Sequence, residues 1–118
     1  MWRPVGGALA LGLAVASVAA GHAFLDRSEP RVGSRVRTPP AQVTLWFTER
    51  LEPAYSRVEV LDEAGQRVDK ADGAVSGDGR QLRASLTPLS PGTYRVRWRV
   101  LSVDTHVTEG DFAFHVGP

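Results

Sequence analysis

Hydrophobic and polar residues alternate along most of this chain beyond residue 40. Val43, Leu45 and Phe47 alternate with polar neighbours over residues 42–48. Side chains two residues apart project from the same face of an extended chain, so this pattern predicts a strand with one buried face. The same alternation predicts further strands at residues 56–62, 67–69 and 81–86.

The longest predicted strand covers residues 93–103 and separates aromatic and aliphatic side chains from arginines. The side chains expected to face inward are Tyr94, Val96, Trp98 and Val100, and those expected to face outward are Arg95, Arg97 and Arg99. A final strand is predicted from the buried face of Phe112, Phe114 and Val116, and a Gly- and Asp-rich loop is predicted at 72–80. Short alternating strands with Gly and Pro turns and no helical periodicity indicate an all-β sandwich or barrel.

The first part of the chain has a different composition. Arg3 precedes a run, residues 5–20, that consists almost wholly of Ala, Val, Leu and Gly. The run is shorter than the about 20 residues that span a bilayer and ends in small residues, which favours a cleaved signal peptide over a membrane anchor or an internal helix. We therefore predict a signal peptide at 1–21, a mature domain at 22–118, and a periplasmic or otherwise extracytoplasmic location.

The cleavage site decides which residue begins the mature chain. Cleavage after Gly21 makes His22 the first residue, whereas cleavage after Ala20 leaves Gly21 first. Both sites carry the small residues that signal peptidase accepts, so both remain open.

Composition then limits the functions of the predicted mature chain. It has 97 of the 118 residues, which is enough for one domain. Its 13 basic residues balance 13 acidic ones, because Arg3 is the only charged residue of the leader. A near-neutral chain has no broad attraction for nucleic acid or anionic membrane, and no second apolar run predicts a membrane span. The chain contains no cysteine, which excludes disulfides and thiolate metal sites.

Two of the three histidines suggest a metal site. A chain-starting His22 would offer both its ring nitrogen and its free α-amine to one ion. Asp104 and His106 follow the long strand two residues apart, and in an extended chain they would point at the same ion. This nitrogen-rich set without sulfur suits Cu(II), with Zn(II) as the main competitor. An isolated Asp-x-His pair is a weak signal, and its weight depends on His22.

The same residues belong to a pattern that covers essentially the whole mature chain. Its parts are His22-Ala23-Phe24-Leu25, Ser28-Glu29-Pro30, Val43-x-Leu45-x-Phe47-x-Glu49, Leu89-x-Pro91-Gly92-x-Tyr94-x-Val96-x-Trp98-x-Val100, Ser102-x-Asp104-x-His106 and Gly110-x-Phe112-x-Phe114-x-Val116. This pattern resembles the CopC family of exported bacterial copper-binding proteins. The resemblance implies a seven-stranded, Greek-key, immunoglobulin-like β-barrel.

The resemblance also implies a function. One Cu(II) ion per chain would be held by the amine and ring of His22, the carboxylate of Asp104 and the ring of His106. The protein would act as a copper carrier or buffer in copper resistance or homeostasis, with a CopD-type membrane copper permease as the implied partner.

Two departures from the family pattern bear on the site. Family members usually have Gly between the aspartate and the histidine and Pro after the histidine, whereas this chain has Thr105 and Val107. Neither residue is a ligand, so the departure affects the loop conformation. The only methionine is Met1, in the predicted leader, so we expect no Cu(I) thioether site.

Two other classes of function are compatible with this sequence. An amine-and-imidazole copper site also resembles that of lytic polysaccharide monooxygenases, although Asp104 would fill a fourth position and the chain supplies no evident substrate platform. A metal-free immunoglobulin-like interaction module is the other alternative, because such folds serve many functions.

Several further residues have a structural and a functional interpretation. His115 is expected on the solvent side of its strand, and the arginine row could either solvate a sheet face or dock an acidic partner. Trp46 could be a half-buried residue or a partner contact. Asp26 and Glu29 could accept hydrogen bonds from the site or simply be surface charges.

Overall fold

Residues 22–118, which a computed structural model describes, form eight strands. The strands are β1 (Leu25–Glu29), β2 (Arg35–Val36), β3 (Gln42–Phe47), β4 (Arg57–Leu61), β5 (Ala74–Ser76), β6 (Gln81–Ser85), β7 (Gly92–Leu101) and β8 (Val107–Val116). Of these, β1, β2 and β5 were not among the predicted segments. A 3-10 turn, Pro53–Tyr55, precedes β4. The predicted signal peptide lies outside the described residues.

The strands form two four-stranded sheets with orders β1-β3-β6-β5 and β2-β8-β7-β4. All neighbours are antiparallel except β2, which pairs parallel to β8. The β7–β8 hairpin has the longest register, from Gly92 opposite Val116 to Leu101 opposite Val107. This hairpin ends in the turn that carries Asp104 and His106.

The core lies between the two sheets and includes most of the residues that the alternation predicted to face inward. β3 contributes Val43, Leu45 and Phe47, and β7 and β8 contribute Tyr94, Val96, Val100, Phe112, Phe114 and Val116. Trp98 is only partly buried, and its ring packs edge-on against Phe47 at a centroid distance of 5.2 Å. The all-β sandwich prediction is therefore confirmed.

Details of the strands differ from the predictions. Residues 67–69 form only isolated bridges, Leu61 to Arg67 and Asp69 to Leu86, whereas the predicted loop at 72–80 contains β5. With β2 and β5 included, the described residues form eight strands where the family resemblance implied seven. β5 is an edge strand of three residues, too short for its alternation to be recognised beside Gly73, Gly77 and Gly79.

Candidate metal centre

His22 and His106 lie side by side at one end of the sandwich, although they come from opposite ends of the described chain. The centroids of their imidazole rings are 4.4 Å apart and the ring planes are inclined by 50°. The ring of Phe24 lies 5.8 Å from that of His22. His22 is half-buried and His106 is exposed, and we call this part of the molecule the histidine end. The fold thus brings together two of the three predicted ligand residues.

His106 is presented by a compact turn, residues 102–106, that joins β7 to β8. Ser102 is fully buried, and its N–H donates to the His106 carbonyl over 3.0 Å. The Thr105 N–H donates to the Ser102 carbonyl over 2.8 Å. The strand predicted to reach residue 103 therefore ends at Leu101. The premise that Asp104 and His106 share one face of an extended chain is wrong, because the chain folds back between them.

Thr105 has a left-handed backbone conformation within this turn. Its φ is +70°, and its hydroxyl donates to the Asp104 carbonyl. A β-branched residue is disfavoured there because its side chain crowds the backbone, whereas glycine adopts this conformation freely. The resemblance noted above implies Gly at this position, which this backbone conformation would explain, and the turn of this chain keeps the conformation with Thr instead.

The segment that carries His22 is held against both sheets. Ala23 is fully buried, and its carbonyl accepts a 2.6 Å hydrogen bond from the Thr108 hydroxyl of β8. The Thr48 hydroxyl, just beyond β3, accepts from the Phe24 N–H over 3.0 Å and donates to the His22 carbonyl over 3.3 Å. Neither threonine was singled out from the sequence, since threonine is common in strands and gives no signal there.

Asp104 occupies the same turn and is exposed. Among residues 22–118, no group of three or more His, Asp or Glu side chains is arranged as a ready metal site. The structure therefore brings the two imidazoles together but does not add the Asp104 carboxylate to them. Its role as a ligand stays a prediction.

The imidazole pair suits a metal ion that prefers nitrogen ligands. Within the described chain, no hydrogen bond involves a ring nitrogen of His22 or His106. Neutral imidazoles with uncommitted nitrogens are common ligands for copper and zinc.

Other candidate residues lie apart from this pair. His115 is on β8 beside Gly92 and Thr93, far along the hairpin from His106, and its Nδ1 is 2.9 Å from the Thr93 hydroxyl. It is half-buried. Glu29 is exposed at the end of β1 that pairs with Thr44, away from His22. Asp26 is exposed at an irregularity of β1, and no hydrogen bond within residues 22–118 links it to either imidazole.

The arginine row of β7 lies on the outer face of its sheet, as predicted, and each member has an acidic neighbour. Arg95 Nη1 is 2.6 Å from Asp111, Arg97 Nε is 3.6 Å from Glu59, and Arg99 Nη1 is 3.6 Å from Glu109. This neutralisation favours a solvated sheet face over a docking site for an acidic partner. The ring of Trp46 also has a partner within the chain. The Arg27 guanidinium lies 3.8 Å from the centroid of this ring, in a cation–π contact.

The chain's most enclosed acidic side chain, among the described residues, is Asp69. Its side chain is fully buried, yet its oxygens accept hydrogen bonds from the backbone N–H groups of Val60 and Ala71 and from the Arg67 guanidinium. Desolvation raises the pKa of Asp69, but these donors together outweigh burial and leave the pKa below its usual value. The same ion pair raises the pKa of Arg67. All of these groups serve the fold.

The structure thus defines a class: a small two-sheet β-sandwich with a histidine pair where its amino-terminal segment meets a hairpin turn. Comparison with known proteins makes the assignment specific. The family model described as the CopC domain matches residues 25–117. Copper resistance protein C of Xanthomonas campestris pv. juglandis is 39% identical over 116 residues, which cover 92% of this chain and 89% of that protein. The chain belongs to the CopC family.

Solved structures support the same family assignment. CopC from Methylosinus trichosporium OB3b superposes with a TM-score of 0.73 and 36% identity, over 82% of this chain and 95% of that one. PcoC, a methionine-rich copper resistance protein from Escherichia coli, has a TM-score of 0.71 and 30% identity, over 80% and 98%. This chain differs from the latter in composition, because Met1 is its only methionine.

Within residues 22–118 no helix has the length and apolarity to cross a membrane.

Proposed function

We propose that this protein binds one Cu(II) ion at the histidine end and carries or buffers copper outside the cytoplasm, in copper resistance or homeostasis. The ligands would be the α-amine and ring of His22, the ring of His106 and the carboxylate of Asp104. The amine becomes available if the predicted signal peptide is removed after Gly21. A CopD-type membrane permease is the partner that we infer from the family.

The observation that carries this proposal is the 4.4 Å distance between the imidazole centroids of His22 and His106. Chance contact between two of only three histidines is a weak explanation, because these two lie at opposite ends of the described chain and the third lies apart. The names of the relatives, copper resistance protein C and CopC, support copper as the ion.

The donor set favours Cu(II) over other states and metals. Nitrogen and oxygen donors suit tetragonal Cu(II), which also has the highest affinity among the divalent first-row ions. Cu(I) prefers thioether and thiolate sulfur, and residues 22–118 contain neither methionine nor cysteine. We therefore expect a single Cu(II) site and no methionine site for Cu(I).

A binding role is proposed rather than catalysis. An oxygen-activating copper site needs an open coordination position for the reacting molecule. Asp104 would occupy a fourth position, and the Arg and Glu side chains that cover the neighbouring sheet face are paired with one another. Incubation of the copper-loaded protein with a reductant and polysaccharides should yield no oxidised sugars; their formation would contradict the binding role.

The main experiment measures intact mass of the exported protein with and without Cu(II), followed by electron paramagnetic resonance of the copper-loaded form. We expect a mass that begins at His22 and increases by one copper ion. A mass beginning at Gly21 would contradict the terminal-histidine chelate, because an amide would then separate the amine from the histidine ring.

The matched variants are His106→Ala and His115→Ala. Removing His106 deletes a ligand nitrogen, so the Cu(II) affinity should fall by about 100-fold or more and the resonance spectrum should change. Removing His115 should leave both unchanged, because its ring faces Thr93 elsewhere on the hairpin. Equal behaviour of the two variants would overturn the assignment of His106.

Asp104→Asn tests the fourth ligand. The substitution keeps the size of the side chain but removes its charge, so we expect about tenfold weaker Cu(II) binding and a shifted spectrum. An unchanged spectrum would remove Asp104 from the ligand set while leaving the histidine pair in place.

A further inference from the structure

We infer that the hydroxyl groups of Thr48 and Thr108 hold the amino-terminal segment in its metal-binding position before the ion arrives. They would thereby set the Cu(II) affinity without being ligands. This inference rests on the proposed function for its metal, but the anchoring itself is a property of the copper-free chain. We call the two residues the threonine clamp.

The first arm of the clamp is Thr48. Its hydroxyl accepts a hydrogen bond from the Phe24 N–H and donates one to the His22 carbonyl, at 3.0 and 3.3 Å. Its own backbone N–H donates to the Phe24 carbonyl over 2.9 Å. Thr48 is itself fixed, because the Arg80 guanidinium donates to its carbonyl over 2.6 Å. The backbone on both sides of Ala23 is therefore tied to the first sheet.

The second arm is Thr108, which belongs to the other sheet. Its hydroxyl donates to the Ala23 carbonyl over 2.6 Å. Thr108 lies on β8 two residues beyond His106, so this bond connects the His22 segment to the strand that begins directly after the other imidazole. The relative position of the two rings thus depends on a bond from each sheet.

Cleavage after Gly21 would make Ala23 the second residue of the mature chain, and its burial would be unusual at that position. The first residues of a domain are commonly poorly ordered unless hydrogen bonds or packing hold them. Here Ala23 is fully buried and the carbonyls of His22 and Ala23 and the N–H of Phe24 all have partners. A metal ion that needs His22 beside His106 then finds the segment already ordered, which removes an entropic cost of binding.

The test uses the mature protein and compares Thr48→Val and Thr108→Val, which keep the side-chain shape but lose the hydroxyl. Thr48→Ser and Thr108→Ser restore it. Thr87→Val is the matched control, since the Thr87 hydroxyl donates to the Val68 carbonyl in the same way. Thr87 lies at the opposite end of β3 from Thr48. It comes two residues after Ser85, which pairs with the first residue of β3, whereas Thr48 comes directly after the last residue of β3.

Two measurements separate the clamp from the copper site. Hydrogen exchange of the Phe24 amide in the copper-free protein should be slow in the wild type and in Thr48→Ser, and at least about tenfold faster in Thr48→Val. Competition titration with Cu(II) should show about tenfold weaker binding for each Val variant, near-normal binding for the Ser variants, and no change for Thr87→Val.

Each outcome decides a different question. An unprotected Phe24 amide in the wild type would overturn the clamp even if a Val variant failed to fold. Unchanged Cu(II) affinity and an unchanged resonance spectrum in both Val variants would overturn its link to the metal. Absence of Cu(II) binding by the wild type would overturn the proposed function, while amide exchange would still decide whether the segment is anchored.

Discussion

The turn at 102–106 and the segment at 67–71 both place polar side chains around a residue with left-handed backbone, Thr105 in one and Ala71 in the other. They differ in how their polar groups are satisfied. Around Asp69 the side chain is fully buried and both oxygens accept hydrogen bonds from within the chain. At the histidine end the two imidazoles are half-buried or exposed, and no protein group in the described chain bonds their ring nitrogens.

The two regions differ as a structural cluster differs from a binding site. A buried carboxylate whose partners are all supplied by the chain has no capacity left for a ligand, and its pKa is lowered by those partners despite burial. Imidazoles that touch one another without protein partners keep their donor atoms for an external ion. The candidate site is therefore recognised by donor atoms that have no hydrogen-bond partner in the described chain, and the number of charged side chains is a poorer guide.

The largest effect on stability is expected for Asp69→Ala. The change leaves the N–H groups of Val60 and Ala71 and the Arg67 guanidinium without their acceptor, so unfolding free energy should fall by about 3–5 kcal/mol in urea denaturation. Glu109→Ala is the control, since its exposed ion pair with Arg99 should be worth at most about 1 kcal/mol. Cu(II) affinity of the folded fraction should stay unchanged. Similar losses for the two variants would remove the contrast.

The same carboxylate should make stability depend on pH. The pKa of Asp69 is lower in the folded chain than the ordinary value of 3.8, so its stabilisation is present above that value and is lost as the pH falls through the folded pKa. The difference in unfolding free energy between the wild type and Asp69→Asn should therefore be constant from about pH 7 to pH 5 and shrink towards pH 3. A difference that does not vary over this range would contradict the lowered pKa.

The smallest effect concerns the two left-handed residues. Thr105→Gly should raise unfolding free energy by about 1 kcal/mol, because glycine removes the crowding of a β-branched side chain at φ +70°. Ala71→Gly, at φ +60°, should gain less, because alanine is less crowded there and glycine makes the unfolded chain more flexible. Thermal unfolding compares the pair, and a loss of stability in Thr105→Gly would show that Thr105 is not strained.

The strand pattern was recoverable from sequence wherever a strand has one buried face. β3, β7 and the end of β8 follow the predicted alternation because their inward side chains all enter one core. β5 was missed, and residues 67–69 were assigned too much regularity, because short edge segments alternate over too few residues to be recognised.

The candidate site was recoverable only in part. His22 and His106 could be singled out because their residue types suit a metal and because the family pattern includes them. The extended geometry assumed for Asp104 and His106 was wrong, since left-handed Thr105 and hydrogen bonds to Ser102 close a turn there. Thr48 and Thr108 gave no signal, because their role depends on which carbonyl lies opposite each hydroxyl.

The sequence by itself determined the all-β class, the balance of charge, the absence of sulfur ligands beyond Met1 and the residue types able to hold an ion. These properties follow from composition and local alternation, which need no knowledge of distant contacts. The tertiary structure alone decided how closely two imidazoles from opposite ends of the described chain approach each other, and that a hydroxyl from each sheet holds the segment carrying one of them. Such contacts depend on how the two sheets pack, because that packing sets which residues distant in sequence become neighbours.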